Sequence, residues 1–322
     1  MKQIRKMEQE ITRKKIHLPS KPTNGQMPDA EMVSGLVKPD WATGIGRDPD
    51  GLWIEFGQHG KVWRVYWPQW GGELDHDDIG LFTDLIIKGI TQRCRWMTPG
   101  TFLMGSPTSE KERYDNEGQH QVTLTQGYWL ADTACTQALW RAVMGENPAC
   151  FRGNENNPVE MVSWEDVHKF IKQLNRLIPG LAAQLPTEAQ WEYACRAGTI
   201  TPFSFGDNIT PGQVNYDGNT PYADGKIGLY REKTVPVKSL PANPWGLYEM
   251  HGNIWEWCAD WYDDYPEMPV TDPAGSETGS SRVLRGGSWS NCGWRTRSAN
   301  RGWYAPVNLD YYIGFRFTLG QA

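Results

Sequence analysis

Apolar residues recur at helical spacing in three stretches of the chain. In the clearest stretch they form a single stripe made of Val167, Phe170, Ile171, Leu174 and Ile178. Residues three and four apart lie on one face of a helix, so this pattern predicts an amphipathic helix with its apolar face in the core. Ser163, with Asp166 at the third helical position, marks the start, and Pro179 followed by Gly180 marks the end.

Two further helices are predicted from their sequence signals. Thr187 and Gln190 form a capping box, in which each side chain bonds the other residue's main chain. Gly198 is the expected stop of that helix. A shorter helix is predicted over residues 136–144.

Alternating apolar and polar residues predict strands elsewhere. Between residues 41 and 70 the segment GLWIEFGQHGKVWRVYWPQW predicts two strands around a turn that contains glycine. From residue 199 onward the chain is rich in Gly, Pro and Asn, with short strand-like pieces at 282–284 and 313–317. The pattern therefore predicts an α+β chain that is loop-rich, with few helices and short strands.

The chain divides into three predicted parts. Residues 1–40 are polar with a basic run and are expected to be a partly disordered tail; a short docking helix using Ile4, Met7 and Ile11 is the alternative. Residues 41–95 are expected to form a β-containing extension, and residues 96–322 the main domain. The 17 Trp and 34 Gly of the chain suit such a domain, because large rings fill the core of a loop-rich fold.

Composition excludes several classes of protein. The net charge of -6 argues against nucleic acid as a partner, and no apolar run approaches the ~18 residues that a membrane-spanning helix needs. The N-terminal residues are charged and lack the apolar segment of a signal peptide. The six cysteines show no CxxC spacing. We therefore expect a cytoplasmic protein with reduced, mostly buried thiols and no membrane span.

The C-terminal tail alternates between framework blocks and short inserts. The blocks are GGSW at 286–289, RSANR at 297–301 and IGFR at 313–316. The inserts are rich in Trp, Tyr, Ser, Asn and Gly, which is typical of binding loops: rigid rings give contact area and small polar residues give hydrogen bonds. The expected ligand-binding residues are Ser290, Asn291, Cys292, Gly293, Trp294, Gly302, Trp303, Tyr304, Leu309, Asp310, Tyr311 and Tyr312. The framework blocks are expected to be buried, and the rings of Trp303, Tyr304, Tyr311 and Tyr312 to be largely exposed.

Several blocks carry a family resemblance. They are FLMGS at 102–106, PTEAQWEYA at 186–194 and GLYEMHGNIWEW at 246–257, together with the GGSW and IGFR blocks. Over these blocks the chain resembles the formylglycine-generating-enzyme (sulfatase-modifying factor) family. The resemblance implies the C-type lectin fold of that family for about two-thirds of the chain. Because one fold hosts both enzymes and binding proteins, the function has to come from the site.

The resemblance also implies a structural calcium site. Carried over residue by residue, its ligands are the side chain of Glu249, the main-chain carbonyls of Gly252 and Ile254, and the carboxylate of Glu256. Oxygen donors of mixed side-chain and main-chain origin are those that Ca²⁺ prefers. The family usually has Asn where Glu249 stands, so this chain departs from the pattern at that position.

The oxidases of the family bind copper through two cysteines between the GGS block and the arginine-rich block. Two soft thiolates suit Cu(I). In this chain the corresponding segment, 290–296, contains Cys292 alone. We therefore expect no copper and no enzyme activity.

The tail resembles a narrower group, the variable proteins of diversity-generating retroelements. In that group a reverse transcriptase rewrites the 3′ end of the gene with changes at adenines. The resemblance implies a ligand-binding protein with a variable region at about 286–316 and a variable ligand, expected to be a protein. The alternatives are an interaction domain with a fixed partner, or a copper-dependent formylglycine-generating oxidase.

Overall fold

The computed structural model describes residues 38–68, 70 and 73–320. The docking helix considered around Ile4, Met7 and Ile11 lies outside the described residues, as does the expected tail up to residue 37.

The three predicted helices are present, and their caps are formed as the sequence indicates. They are α1 (Gln137–Met144), α2 (Trp164–Leu177) and α3 (Glu188–Arg196). Capping boxes join Ser163 to Asp166 and Thr187 to Gln190. Helix α3 ends one residue earlier than expected: Ala197 takes the left-handed conformation at its end.

Short strands form four sheets. A three-stranded sheet contains β1 (Ala42–Asp48), β2 (Gly51–Gln58) and β3 (Lys61–Tyr66). A six-stranded sheet contains β4 (Leu74–His76), β5 (Leu81–Ile87), β6 (Ile90–Met97), β9 (Tyr128–Ala131), β10 (Ala183–Gln184) and β16 (Thr318–Leu319). The third sheet contains β11 (Trp255–Trp261), β13 (Arg282–Arg285), β14 (Arg301–Tyr304) and β15 (Ile313–Gly314). The fourth contains β7 (Gly100–Met104), β8 (His120–Leu124) and β12 (Val270–Thr271).

Some strands of the N-terminal part share a sheet with strands of the main domain. The two strands predicted between residues 41 and 70 are β2 and β3, and β1 precedes them. The six-stranded sheet has the order β10-β16-β9-β6-β5-β4. Strands from both sides of the expected boundary at residue 95/96 therefore pair with one another, and that boundary falls inside β6. The division into extension and domain stays a prediction.

Aromatic rings fill the core between the sheets and helices. Trp129, Trp191 and Trp257 are among the largest fully buried side chains. Phe170 of α2 packs against Phe315 and stacks with Trp140 of α1. This packing ties the helices to the C-terminal tail, which positions the framework blocks.

Candidate functional site

The arginines of the RSANR block lie inside the protein. Arg297 is fully buried, and both of its terminal nitrogens donate to the Glu117 carboxylate at 2.7 Å. Burial by itself raises the pKa of Glu117, but the Arg297 guanidinium outweighs burial and holds that pKa below its ordinary value. The pair is therefore ionised and hydrogen-bonded on both sides, which anchors the chain between two inserts.

The other framework arginines are held in the same way. Arg301 donates to the two oxygens of Glu188 at 2.7 and 2.9 Å, and Arg285 pairs with Glu192. Glu188 and Glu192 stand four residues apart on α3, so one face of this helix binds two arginines. Sequence reasoning missed these acidic partners; their helical spacing within the PTEAQWEYA block was the available signal.

The GGSW block is a tight, buried turn. Gly286 and Gly287 have φ of 95° and 71°, a region that residues with a side chain rarely adopt. Trp289 is 7% exposed and packs against Phe151, Tyr230 and Tyr311. The expected contrast between a buried framework and its inserts therefore holds for this block.

The rings of the inserts are only in part accessible. Trp303 and Tyr311 are 54% and 43% exposed. Tyr304 and Tyr312 are half-buried against the main core, so the expectation that all four rings are largely exposed is wrong for these two. They come from segments that flank buried framework residues, and they line one groove together with Trp255.

Two glycines expected on the binding surface lie close against neighbouring residues. Gly293 is buried, and a Cβ added there would lie 2.5 Å from the main-chain nitrogen of Tyr222. A Cβ at Gly302 would lie 3.0 Å from the Trp255 ring. A side chain at Gly293 would therefore require the backbone to move, and one at Gly302 would require the ring to shift.

Other expected surface residues shape their own loops. The side-chain oxygen of Asn291 accepts hydrogen bonds from the main chain and hydroxyl of Ser288. Asp310 accepts from the Tyr311 main chain through its carboxylate and from Met161 through its carbonyl. Ser290, Cys292 and Trp294 are half-buried, and Leu309 is exposed.

A groove of about 500 Å³ runs beside β14. Its lining includes the insert residues Gly302, Trp303, Tyr304 and Tyr312. The wall formed by residues 114–116 also lines it. The structure thus brings residues from three inserts to one concave surface, Arg295 of the first insert among them, while Ser290, Leu309 and Tyr311 do not line it.

Three of the four groups expected to bind calcium, those of Glu249, Gly252 and Glu256, accept hydrogen bonds within the protein. Glu256 accepts from Arg316 at 2.6 and 2.8 Å and from the Trp191 ring nitrogen at 2.7 Å. The Gly252 carbonyl accepts from the main chain of Ile254. The Glu256 carboxylate is thus already paired with a cation, and calcium binding stays a prediction.

Glu249 differs from Glu256 because its charge has no arginine in direct contact. Burial raises the pKa of its carboxyl to about 7. One of its oxygens accepts from the Lys238 main chain at 3.2 Å, and the other has no hydrogen-bond partner among the described residues. Across the described residues, no three His, Cys, Asp or Glu side chains are grouped so as to hold a metal.

The cysteines of the described residues are all unpaired thiols. Cys94, Cys135, Cys195 and Cys258 are buried, Cys150 is exposed and Cys292 is half-buried. Burial raises the pKa of the Cys195 thiol to about 12, so this group stays protonated. Within the described residues, no helix is long and apolar enough to cross a membrane.

The fold and the buried framework define a class of protein. The domain is of the loop-rich C-type lectin type in which a short-stranded sheet presents the C-terminal inserts. The sequence pattern of the sulfatase-modifying factor enzyme 1-like domain matches residues 91–319, and the chain belongs to that family.

Relatives within the family include enzymes. The formylglycine-generating enzyme of Streptomyces coelicolor is 38% identical over 56% of this chain and 57% of its own length. That of Mus musculus is 33% identical over 61% of this chain and 52% of its own. The chain therefore spans little more than half the length of these two curated relatives.

Among solved structures, the chain is similar to Treponema denticola variable protein 1. That protein has a TM-score of 0.64 and 26% identity, with coverage of 74% of this chain and 98% of the other. PvdO from Pseudomonas aeruginosa has a TM-score of 0.63 and 26% identity, with coverage of 74% and 97%. These neighbours confirm the predicted fold.

The expectation of no enzyme activity is contradicted by the curated relatives. Curated formylglycine-generating enzymes from five organisms match it at 31–38% identity. The expectation came from the single cysteine of one insert, and one residue type in one loop does not outweigh a resemblance spread over more than half of the chain.

Proposed function

We propose that this chain is a ligand-binding protein whose C-terminal region, about residues 286–316, is diversified by a retroelement. Its ligand differs between versions of the protein, and we expect that ligand to be a protein. The fixed part is the lectin-like scaffold, and the variable part is the aromatic surface made by the inserts.

One observation carries the proposal: the tail places buried framework residues close in sequence to exposed insert rings. Trp289, Arg297 and Phe315 are buried framework, whereas Trp303 and Tyr311 of the inserts are exposed. Core positions respond to a change of even one methylene, so diversification is tolerable only where side chains do not decide packing. The tail has this arrangement at short intervals along the sequence.

Similarity to Treponema denticola variable protein 1 supports the same function. The match covers nearly all of that protein, and its name describes a variable protein. The GGSW, RSANR and IGFR blocks of this chain occupy buried positions of the shared fold.

The test is a look at the gene's surroundings. We expect a reverse-transcriptase gene nearby and an adenine-rich near-copy of the codons for residues 286–316. Adenines of that copy should fall at the codons of Tyr304, Leu309 and Tyr311, and not at those of Gly293 and Arg297. A gene without any such copy would favour the alternative of an interaction domain with a fixed partner.

The activity of the curated relatives is a second candidate function. The identity of 38% to the Streptomyces coelicolor enzyme favours it. The segment at 290–296 supplies one thiolate, Cys292, so the residues present do not form the two-thiolate copper set of the oxidases. Incubation with copper and a cysteine-containing peptide tests this function: aldehyde formation that disappears in Cys292→Ser would assign it, and unchanged peptide would exclude it.

A further inference from the structure

We propose that the ligand is an extended peptide segment of a partner protein, which adds to the sheet beside β14 through main-chain hydrogen bonds. The inference rests on the proposed function, because it assigns a ligand class and a binding mode to the same surface. It starts from the position of one strand at the edge of a sheet.

Strand β14 has a neighbour on one side only. The sheet has the order β14-β13-β11-β15, and within the described ranges the main chain of β14 pairs with β13 alone. In an antiparallel pair every second residue turns its N–H and C=O groups toward the partner strand. The intervening residues of β14 therefore direct theirs away from β13, where a further strand would pair.

This edge lacks the usual protection against pairing. Edge strands are commonly blocked by lysine, proline or a bulge, but β14 consists of Arg-Gly-Trp-Tyr. Its one charged residue, Arg301, is buried and its guanidinium binds Glu188. Its register with β13 is continuous from Arg301 to Tyr304. The strand is thus regular and carries no exposed charge of its own, and within the described residues it has a free place for one more strand in the sheet order.

The groove beside β14 has the size of a short peptide segment. Four residues of strand span about 13 Å, and the groove of about 500 Å³ is lined by β14, by the wall at residues 114–116 and by Trp255, Leu284 and Ile313 of the neighbouring strands. Successive side chains of a strand point to opposite faces. Trp303 contacts Tyr262 with ring centroids 4.6 Å apart, while Tyr304 packs on the main core. An added strand would therefore meet an aromatic ring on each face.

Charges at the groove favour a peptide over an apolar ligand. Asp115 and Arg295 both line it and both are exposed. A peptide that carries one basic and one acidic side chain complements this pair. Main-chain pairing supplies affinity whatever the side chains are, and pockets for alternate side chains supply specificity. Because the main chain supplies affinity and the side chains supply specificity, the surface can change its side chains and still bind a peptide.

The test uses the purified full chain and a displayed library of short random peptides. The tightest peptide is synthesised as a series, with one N-methyl group at each successive main-chain nitrogen. Removing a bonded N–H should weaken binding by about 5- to 10-fold. We expect this loss at every second position, with the intervening positions unchanged within about twofold.

Three results of the peptide experiments would overturn strand addition. They are equal losses at consecutive positions, failure of the library to enrich any peptide, and enrichment only of a carbohydrate in a parallel glycan screen. A dimer that forms through β14 of two copies, seen by sedimentation, would replace the partner peptide by a second copy and would equally overturn it.

A second variant separates this inference from the proposed function. Trp303→Ala combined with Tyr304→Ala changes the insert side chains and leaves the β14 main chain in place; Ile227→Ala, an exposed apolar residue outside the groove lining, is the control. If the double variant binds the same peptide with unchanged affinity, the insert side chains do not form the binding surface. The proposed function is then contradicted, whereas strand addition is not. If the double variant loses binding, and the N-methylated peptides show no alternating loss of affinity for the native chain, strand addition alone is contradicted.

Discussion

Trp289 and Trp303 are the same residue type in opposite surroundings. Trp289 lies among Phe151, Tyr230 and Tyr311, whereas more than half of Trp303 is exposed. Trp289→Ala should lower the free energy of unfolding by about 3–5 kcal/mol, and Trp303→Ala by about 0.5 kcal/mol or less. Urea unfolding of both variants checks this, and equal losses would contradict the division into frame and inserts.

Arg297 and Arg295 form a second matched pair. Arg297→Met leaves the buried carboxylates of Glu117 and Glu110 without their cation, and it should cost about 3–5 kcal/mol. Arg295→Met changes an exposed residue two positions away and should cost about 0.5 kcal/mol or less. Thermal melts of the two variants give the measurement; a stable Arg297→Met protein would show that the pair is not an anchor.

Asp260 should make stability depend on pH. Burial, followed by repulsion from Glu188, raises the pKa of its carboxyl to about 7. The unfolded chain releases this proton at about pH 4, whereas the folded protein keeps it up to about pH 7. The free energy of unfolding therefore falls as pH rises from about 4 to 7. Asp260→Asn cannot titrate, and it should gain about 1 kcal/mol or more over the native chain between pH 5 and pH 8. Denaturant unfolding measures the difference in free energy of unfolding between the two proteins, and a difference that does not grow with pH would refute this prediction.

At the scale of elements, the short 3-10 helix Gly293–Thr296 fixes how far the first insert can vary. A Cβ at Gly293 would meet the Tyr222 main chain, which cannot move as a side chain can. Gly293→Ala should therefore destabilise the protein by about 1–3 kcal/mol. Ser290→Ala, in the same insert but half-buried, serves as the control for thermal melts. If both variants have the melting temperature of the native protein, Gly293 belongs to the variable surface.

At the scale of the molecule, the six-stranded sheet joins the two sides of the expected boundary. A fragment of residues 96–322 would lack β4, β5 and most of β6, and with them the buried Leu85, Ile87 and Cys94. We expect this fragment to lose cooperative thermal unfolding, because its β9 would have an unpaired edge and an exposed apolar face. The fragment 38–322 keeps all described strands and should unfold cooperatively. A cooperative transition in the shorter fragment would support the boundary at 95/96.

The sequence by itself determined the features that depend on neighbours along the chain. Capping pairs such as Ser163 with Asp166 lie within one turn, so their residue types predict where the helix begins. The apolar stripe of α2 and the alternation of β2 and β3 are likewise local patterns. The spacing of blocks and inserts in the tail also needed no structure.

Only the tertiary structure decided which side chains meet across the chain. Arg297 bonds Glu117 from 180 positions away, and Arg316 bonds Glu256 from 60, so no local pattern pairs them. The same holds for Gly293 against Tyr222 and for the place of β14 at the sheet edge. Burial and pairing are set by contacts between distant segments, and they separated the frame from the surface where composition alone had grouped them together.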